Sequence, residues 1–205
     1  MSTANNFKVP RWNDLPDIPL YLDQILILLD EWYGDYLTVD GKKVMTKTMV
    51  NNYVKLKFIP APVNKKYNKI SVASIFIIAI LKTVFTIDEV SKLIKLALNF
   101  VDNTEEAYDM FCDLIEEAVD CAFRDELMSK PFCENDPRHI CWNACNAFAC
   151  QLYVRNIYLK QLDAKEEKVR LTSRRALPQG RARGAVVREI VLSDFFIFCI
   201  RFRFI

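Results

Sequence analysis

One stretch of the chain constrains the fold more than any other. Residues 71–84 read SVASIFIIAILKTV and are apolar around nearly the whole circumference of a helix. A helix of this kind needs apolar neighbours on all sides, and it is shorter than the roughly 20 residues that cross a bilayer. We therefore expect it at the centre of a core, packed against the other elements of the chain.

The rest of the chain carries helical spacing and the signals that begin helices. Apolar residues at three- and four-residue steps predict five further helices, over about 19–36, 46–57, 87–100, 104–127 and 138–163. Thr46 is the expected N-cap of the second helix in that series. Thr86 with Glu89, and Asn103 with Glu106, have the spacing of capping motifs. The pattern predicts an all-α protein with a small β wing or hairpin.

Two short segments do not fit a helix. Residues 9–19 contain three prolines, which favours an extended arm. Residues 37–45 (LTVDGKKVM) contain the turn pair Asp40-Gly41, which indicates a small hairpin.

Charges are separated along the chain although the net charge is only +2. The stretch from residue 42 to residue 87 has no acid and nine lysines: 42, 43, 47, 55, 57, 65, 66, 69 and 82. Residues 102–136 carry twelve acids against Arg124 and Lys130. Such segregation indicates two surfaces for different partners, and the basic one is the candidate for nucleic acid.

The same sorting divides the chain into regions. The basic stretch lies within residues 9–100, and residues 101–163 form an acidic helical region, which we expect to form a homodimer or to sense an effector of unidentified chemistry. Residues 1–167 hold 15 Lys and 4 Arg, whereas residues 168–205 hold 1 Lys and 8 Arg. We interpret residues 168–205 as an atypical basic tail, foreign or out of frame, with a genuine basic tail as the alternative.

Several functional classes are disfavoured. Seven cysteines at irregular spacing and the absence of a charged-then-apolar leader indicate free thiols in a cytoplasmic protein. The sequence contains no run of 18 uncharged apolar residues, so we expect no membrane-spanning helix. Glycine motifs for phosphate or dinucleotide binding do not occur, and one histidine, His139, would have to serve any nucleophilic site. We expect no enzymatic activity, no cofactor and no membrane partner.

A cluster of metal-binding residue types lies near the last predicted helix. Cys133, His139, Cys141 and Cys145 fall close together, and thiolate with imidazole is a zinc ligand set. No CxxC pair occurs, however, and the intervals match no standard zinc motif. Core packing is the favoured interpretation, because free cysteine behaves as a small buried hydrophobe. A zinc or thiol sensor built on residues 133–150 is the remote alternative.

The basic segment has the features of a helix that reads DNA. The polar side of the predicted helix 46–57 consists of Lys47, Thr48, Asn51, Asn52 and Lys55. Asparagine can make a bidentate contact with adenine in the major groove. In the loop that follows, Lys65, Lys66 and Tyr67 are placed to hold the phosphate backbone. A solvated basic face without a ligand is the alternative.

These residues carry a resemblance to a known motif. TKTMVNNYVKLKFIPAPVNKKY, a helix and then VFTIDEVSKLI resemble the MerR-type winged helix-turn-helix over residues 46–90. On that comparison Thr46 takes the helix cap and Tyr67 the closing tyrosine of the wing. Lys57 and Asn51 depart from the family, which usually has glycine and arginine there. The resemblance implies a transcriptional regulator that binds double-stranded DNA, with its recognition helix in the major groove and its wing on the phosphates. On this interpretation residues 9–100 are the winged helix-turn-helix DNA-binding region.

A broader resemblance covers more of the chain. PRWNDLPDIPLYLDQ followed by TKTMVNNYVKLKFIPAPVNKKY is similar to a family of small bacterial proteins catalogued only as a domain of unknown function, over about 9–160. That family brings no known activity. The competing class is therefore a non-catalytic protein-interaction module that uses a winged-helix fold.

Overall fold

Six α-helices and a two-stranded antiparallel sheet make up the described part of the protein. The computed structural model describes residues 7–38, 42–99, 103–124, 126, 136, 138–159, 165 and 168. In chain order the helices are α1 (Leu22–Leu37), α2 (Lys47–Lys55), α3 (Lys69–Leu81), α4 (Ile87–Ala97), α5 (Thr104–Arg124) and α6 (Arg138–Tyr153). The strands are β1 (Leu20–Tyr21) and β2 (Lys66–Tyr67). The predicted mainly helical fold with a small β component is confirmed.

The chain divides into two compact units, Met1–Gln161 and Leu162–Ile205. All of the elements named above belong to the first unit. The centre of the predicted hairpin, residues 39–41, lies outside the described residues, as does almost all of the predicted tail 168–205.

Helix α3 is the centre of the core, as its composition predicts. Nine of its thirteen side chains are buried, and α1, α4, α6 and β2 all pack against it. The helix begins two residues before the predicted start because the side chain of Asn68 caps it. The Asn68 carboxamide oxygen accepts a hydrogen bond from the Ser71 amide at 3.0 Å.

Three predicted caps are present at helix N-termini. The Thr46 hydroxyl accepts a hydrogen bond from the Met49 amide at 3.3 Å at the start of α2. Thr86 and Glu89 form the reciprocal capping box of α4. At the start of α5, the Asn103 side chain accepts from the Glu106 amide at 2.8 Å. These local bonds satisfy amides that have no partner inside the helix, which is why they could be found from spacing alone.

The C-terminus of α2 ends in a Schellman motif. The Phe58 amide donates to the Tyr53 carbonyl at 2.9 Å and the Lys57 amide to the Val54 carbonyl at 3.0 Å. This closure puts Lys57 in the left-handed region, with φ 61°. Glycine adopts that conformation without strain, so the departure of Lys57 from the MerR-type pattern has a physical cost.

The sheet joins two distant segments of the chain. Leu20 lies opposite Tyr67 and Tyr21 opposite Lys66. Before β2 the chain turns sharply between Val63 and Lys66, which form an antiparallel bridge. Asn64 and Lys65 inside this turn both have positive φ, 50° and 65°, as a type I′ turn requires. We call residues 63–66 the basic turn.

The N-terminal segment is the extended arm that its prolines predict, with a single 3-10 turn at Trp12–Asp14. Its backbone is bonded to α5: the Trp12 amide donates to the Asp109 carboxylate at 2.7 Å. Helix α5 in turn packs along α6, which passes into π-helical turns over Val154–Leu159. The predicted end of this helix, at about residue 163, lies outside the described residues. Within the described residues, no helix is long and apolar enough to cross a membrane.

Candidate nucleic-acid interface

Helix α2 presents the polar side chains that the sequence places on its outer face. Val50 is fully buried and α2 packs against α1. The opposite side is solvated, and its exposed residues are Lys47, Thr48, Asn51, Asn52 and Lys55. The single buried anchor thus leaves the capped N-terminal turn of a short helix available to a ligand.

The junction of β1 and α1 brings α2 and the basic turn together. Asp23, in the first turn of α1, forms an ion pair with Lys47, the first residue of α2, at 2.6 Å. Two residues earlier, the Tyr21 ring lies under the Lys66 ammonium, which is 5.1 Å from the ring centroid. The N-terminus of α2 and the basic turn therefore contact residues that are adjacent on one short segment.

The basic turn holds its lysines in a defined conformation. Both Lys65 and Lys66 are exposed, and Val63 beside them is 75% exposed. Reciprocal backbone hydrogen bonds of 2.9 Å between Val63 and Lys66 close the turn. The turn is thus a compact projection that carries two cations.

Tyr67 lies in the core and not on the surface where the sequence interpretation placed it. Its side chain is only 3% exposed, and burial raises the pKa of its hydroxyl. The reason is the pleat of the strand, in which successive side chains point to opposite faces. Because Lys66 faces solvent, Tyr67 must face inward, so a contact between Tyr67 and a phosphate strand is corrected to a packing role. Alternation within the sequence Lys66-Tyr67 was the signal that could have shown this.

Four of the nine lysines between residues 42 and 87 are occupied by other contacts. Lys47 pairs with Asp23, as described, and Lys43 pairs with Asp30 at 2.9 Å. Lys69 pairs with Asp17 at 2.6 Å and is largely covered, with a side chain 15% exposed. The half-buried Lys82 donates to the Val44 carbonyl, and burial lowers its pKa.

The remaining lysines are exposed and have no acidic partner among the residues that the structure describes: Lys42, Lys55, Lys57, Lys65 and Lys66. The charge available to a polyanion is therefore about half of what the sequence count suggests. Lys57, which the sequence interpretation did not include, joins the candidate cations because the Schellman motif leaves it exposed next to Lys55.

The cysteine and histidine residues near α6 do not assemble a metal site in the described part of the chain. His139 stacks on Trp142, with ring centroids 4.9 Å apart. Burial raises the pKa of the Cys141 and Cys145 thiols, which keeps them neutral at physiological pH. No group of three or more potential ligands occurs among the described residues, and Cys133 lies outside them.

Comparison with known families supports one of the two resemblances. Residues 10–111 match the family described as Domain of unknown function (DUF1836). The predicted similarity to a domain of unknown function is confirmed over this range, which runs from the N-terminal arm into α5 and stops short of the predicted residue 160. No curated protein and no solved structure matches the chain. The MerR-type resemblance of residues 46–90 stays a prediction.

Proposed function

We propose that the protein is a DNA-binding transcriptional regulator, in which α2 enters the major groove of double-stranded DNA and the basic turn lies on the phosphates. The observation that carries this proposal is the double contact at the β1–α1 junction. There Asp23 pairs with Lys47 of α2, and Tyr21 lies under Lys66 of the basic turn. A helix N-terminus with exposed amide side chains beside a cationic turn is the arrangement that combines base reading with backbone positioning.

The order of elements supports the same proposal. Helix α2, a proline segment, the basic turn closing on Tyr67, α3 and the Thr86-capped α4 follow one another as in the MerR-type motif described above. The turn replaces a longer wing. Its conformation with two positive-φ residues makes it compact, and that suits a contact with one stretch of backbone.

The exposed residues of this surface have two roles in the proposal. Asn51 and Asn52 read base edges, because a carboxamide can donate to and accept from adenine at once. Lys65 and Lys66, with Lys55, neutralise phosphates, a contribution that does not depend on sequence. The acidic α5 has the wrong charge for DNA, so we assign residues 101–163 to homodimerisation or to an effector.

The test is fluorescence anisotropy of the full chain with a promoter fragment of its own gene and with random DNA, each across a salt series. The three phosphate contacts of Lys55, Lys65 and Lys66 predict a slope of log affinity against log salt of about −3. Replacing Lys65 and Lys66 by alanine should weaken binding to both DNAs alike and reduce the slope by about 2. Asn51→Ala should instead reduce the difference in affinity between the promoter fragment and random DNA.

Lys95→Ala is the matched control, because Lys95 is an exposed lysine of α4 outside this surface. It should leave both affinity and slope close to those of the unaltered protein. Absence of binding to either DNA at low salt would overturn the proposal.

A second candidate function is a protein-interaction module with an acidic partner. Exposed apolar side chains stand among the lysines: Leu56 is 56% exposed between Lys55 and Lys57, and Val63 is 75% exposed in the basic turn. Apolar contacts of this kind contribute little on a phosphate backbone but much in a protein interface. In that case Leu56→Ser and Val63→Ser would abolish binding to an acidic amphipathic peptide, and DNA would bind only weakly and without sequence preference.

A further inference from the structure

A cavity of about 110 Å³ lies between α3, α4, α5 and α6. None of its walls comes from α2 or the basic turn, so it is separate from the surface proposed to bind DNA. Its walls come from both regions that the charge pattern defines, since α3 and α4 belong to residues 9–100 and α5 and α6 to residues 101–163.

The cavity exists because four helices each contribute a small side chain at the same place. Ala73 of α3, Ala97 of α4, Ala107 of α5 and Ala144 of α6 all line it. Helix α4 packs on α3 and α6, and α5 packs on α6, but α4 and α5 make little direct contact with each other. The space between those two helices is therefore bounded by packed neighbours without being filled by them.

Exposure is graded from the mouth of the cavity to its floor. Ile70 and Leu98 at the mouth are 41% and 42% exposed, whereas Tyr108 and Cys145 are each 1% exposed. A ligand can enter from solvent beside Ile70 and Leu98 and become buried against Tyr108 and Cys145.

The chemistry of the walls selects the ligand. Among the described residues, no charged side chain lines the cavity, and most of the lining is aliphatic, aromatic or thiol. Three hydroxyl groups belong to the lining, those of Ser74, Thr104 and Tyr108. The Ser74 hydroxyl donates to the Ile70 carbonyl at 2.9 Å, and the Tyr108 hydroxyl is buried. Water needs two to four polar partners to be stable in a cavity, and this lining offers few. A charged ligand would lose its hydration without gaining a partner.

We propose that this cavity is a binding site for a small, uncharged, apolar molecule of about the size of one aromatic ring. One engineered apolar cavity of about 150 Å³ binds benzene, and the volume observed here, about 110 Å³, is of the same order. The proposal does not depend on the proposed DNA binding, because cavity and basic surface share no residue.

The first test titrates the full chain with benzene and follows its melting temperature and its methyl NMR spectrum. A ligand that binds only the folded state raises the melting temperature saturably. We expect that rise together with shifts of the Ile77 and Leu93 methyl signals, since both residues line the cavity. Benzoate should bind at least tenfold more weakly. A benzene titration without a saturable rise would overturn the proposal.

The second test fills the cavity. Ala144→Leu places a larger side chain at its buried end and should weaken benzene binding at least tenfold. Ala97→Leu does the same from the half-buried face of α4 and serves if the first variant does not fold. Ile27→Phe, which adds apolar volume at an exposed position of α1, is the matched control and should leave the affinity unchanged. Equal affinity in the unaltered protein and in the filled variants would place benzene elsewhere and sink the proposal.

Discussion

Glu116 of α5 accepts a hydrogen bond from the backbone amide of Val9 at 2.7 Å, although the two residues are 107 positions apart. The same carboxylate accepts from the Arg11 guanidinium at 3.1 Å and from the Lys8 ammonium at 3.0 Å. Its side chain is 12% exposed. One nearly buried carboxylate thus fixes the N-terminal arm to the acidic helix.

Replacing Glu116 by alanine should lower the free energy of unfolding by about 2 kcal/mol, because the Val9 amide loses its acceptor in a poorly hydrated place. Asp113→Ala is the matched control. Asp113 also pairs with Arg11, at 2.9 Å, but its side chain is 75% exposed and the pair should contribute less than about 0.5 kcal/mol. Urea denaturation measures both variants. Equal losses would show that burial of Glu116 does not set its contribution.

Lys57, the left-handed residue at the end of α2, gives the opposite prediction, because its replacement should stabilise the protein. Lys57 has φ 61°, a conformation that costs a side-chain-bearing residue about 1–2 kcal/mol. Lys57→Gly should therefore raise the free energy of unfolding by about 0.5–1 kcal/mol, since the greater freedom of glycine in the unfolded chain offsets part of the gain. Lys92→Gly, at an exposed interior position of α4, should lower it by about 1 kcal/mol. Thermal denaturation of the two variants compares the signs directly, and destabilisation by both would contradict the left-handed closure.

Local rules explain what the sequence could predict. Helix caps depend on residues three apart, so Thr46, Thr86 and Asn103 could be found without knowledge of the fold. The uniform apolarity of α3 leaves it no solvated face, so its central position follows from composition. Asn68 uses the same rule and could have been recognised, which would have corrected the start of α3.

The remaining features depend on contacts between distant segments. Nothing near Lys82 in the sequence shows that it donates to the carbonyl of Val44, which is 38 positions away. The pairing of Lys69 with Asp17 depends in the same way on how the arm lies across the fold. The number of lysines in the sequence is therefore larger than the number of lysines free to bind a ligand. The candidate interface could be located from the sequence, but the lysines accessible on it could be identified only from the structure.

A buried tyrosine and a buried cysteine predict that the protein loses stability at alkaline pH. Burial raises the pKa of Tyr33 well above its usual value of 10.0 and that of the Cys112 thiol to about 12. Both groups stay protonated in the folded state at a pH where the unfolded chain releases its protons. Their contribution is complete below the unfolded pKa values and is lost as the pH rises above them. The free energy of unfolding should fall from about pH 9 upward.

Tyr33→Phe separates the tyrosine from the thiol. The Tyr33 hydroxyl has no hydrogen-bond partner among the described residues, so its removal should leave stability at pH 7 unchanged or raise it by about 1 kcal/mol. The variant should also lose less stability than the unaltered protein between pH 9 and pH 11. Urea denaturation across that range is the measurement, with Tyr21→Phe, at an exposed ring, as the control at pH 7. An unchanged pH profile would show that another group sets the alkaline limit.

The ion pair between Asp23 and Lys47 provides a way to raise the DNA affinity of the proposed surface by mutation. Both side chains are more than 60% exposed, so the pair contributes little to folding, but it places a negative charge 2.6 Å from a cation at the N-terminus of α2. Asp23→Asn removes that charge and frees Lys47 for a phosphate, which should tighten DNA binding about fivefold at low salt and steepen the salt slope by about one. Glu117→Gln, an exposed change of the same charge on α5, should leave the affinity nearly unchanged. Asp23→Asn should leave the fold intact because both side chains are exposed, which thermal denaturation checks. An affinity no higher than that of the unaltered protein would then mean that Lys47 does not face the DNA.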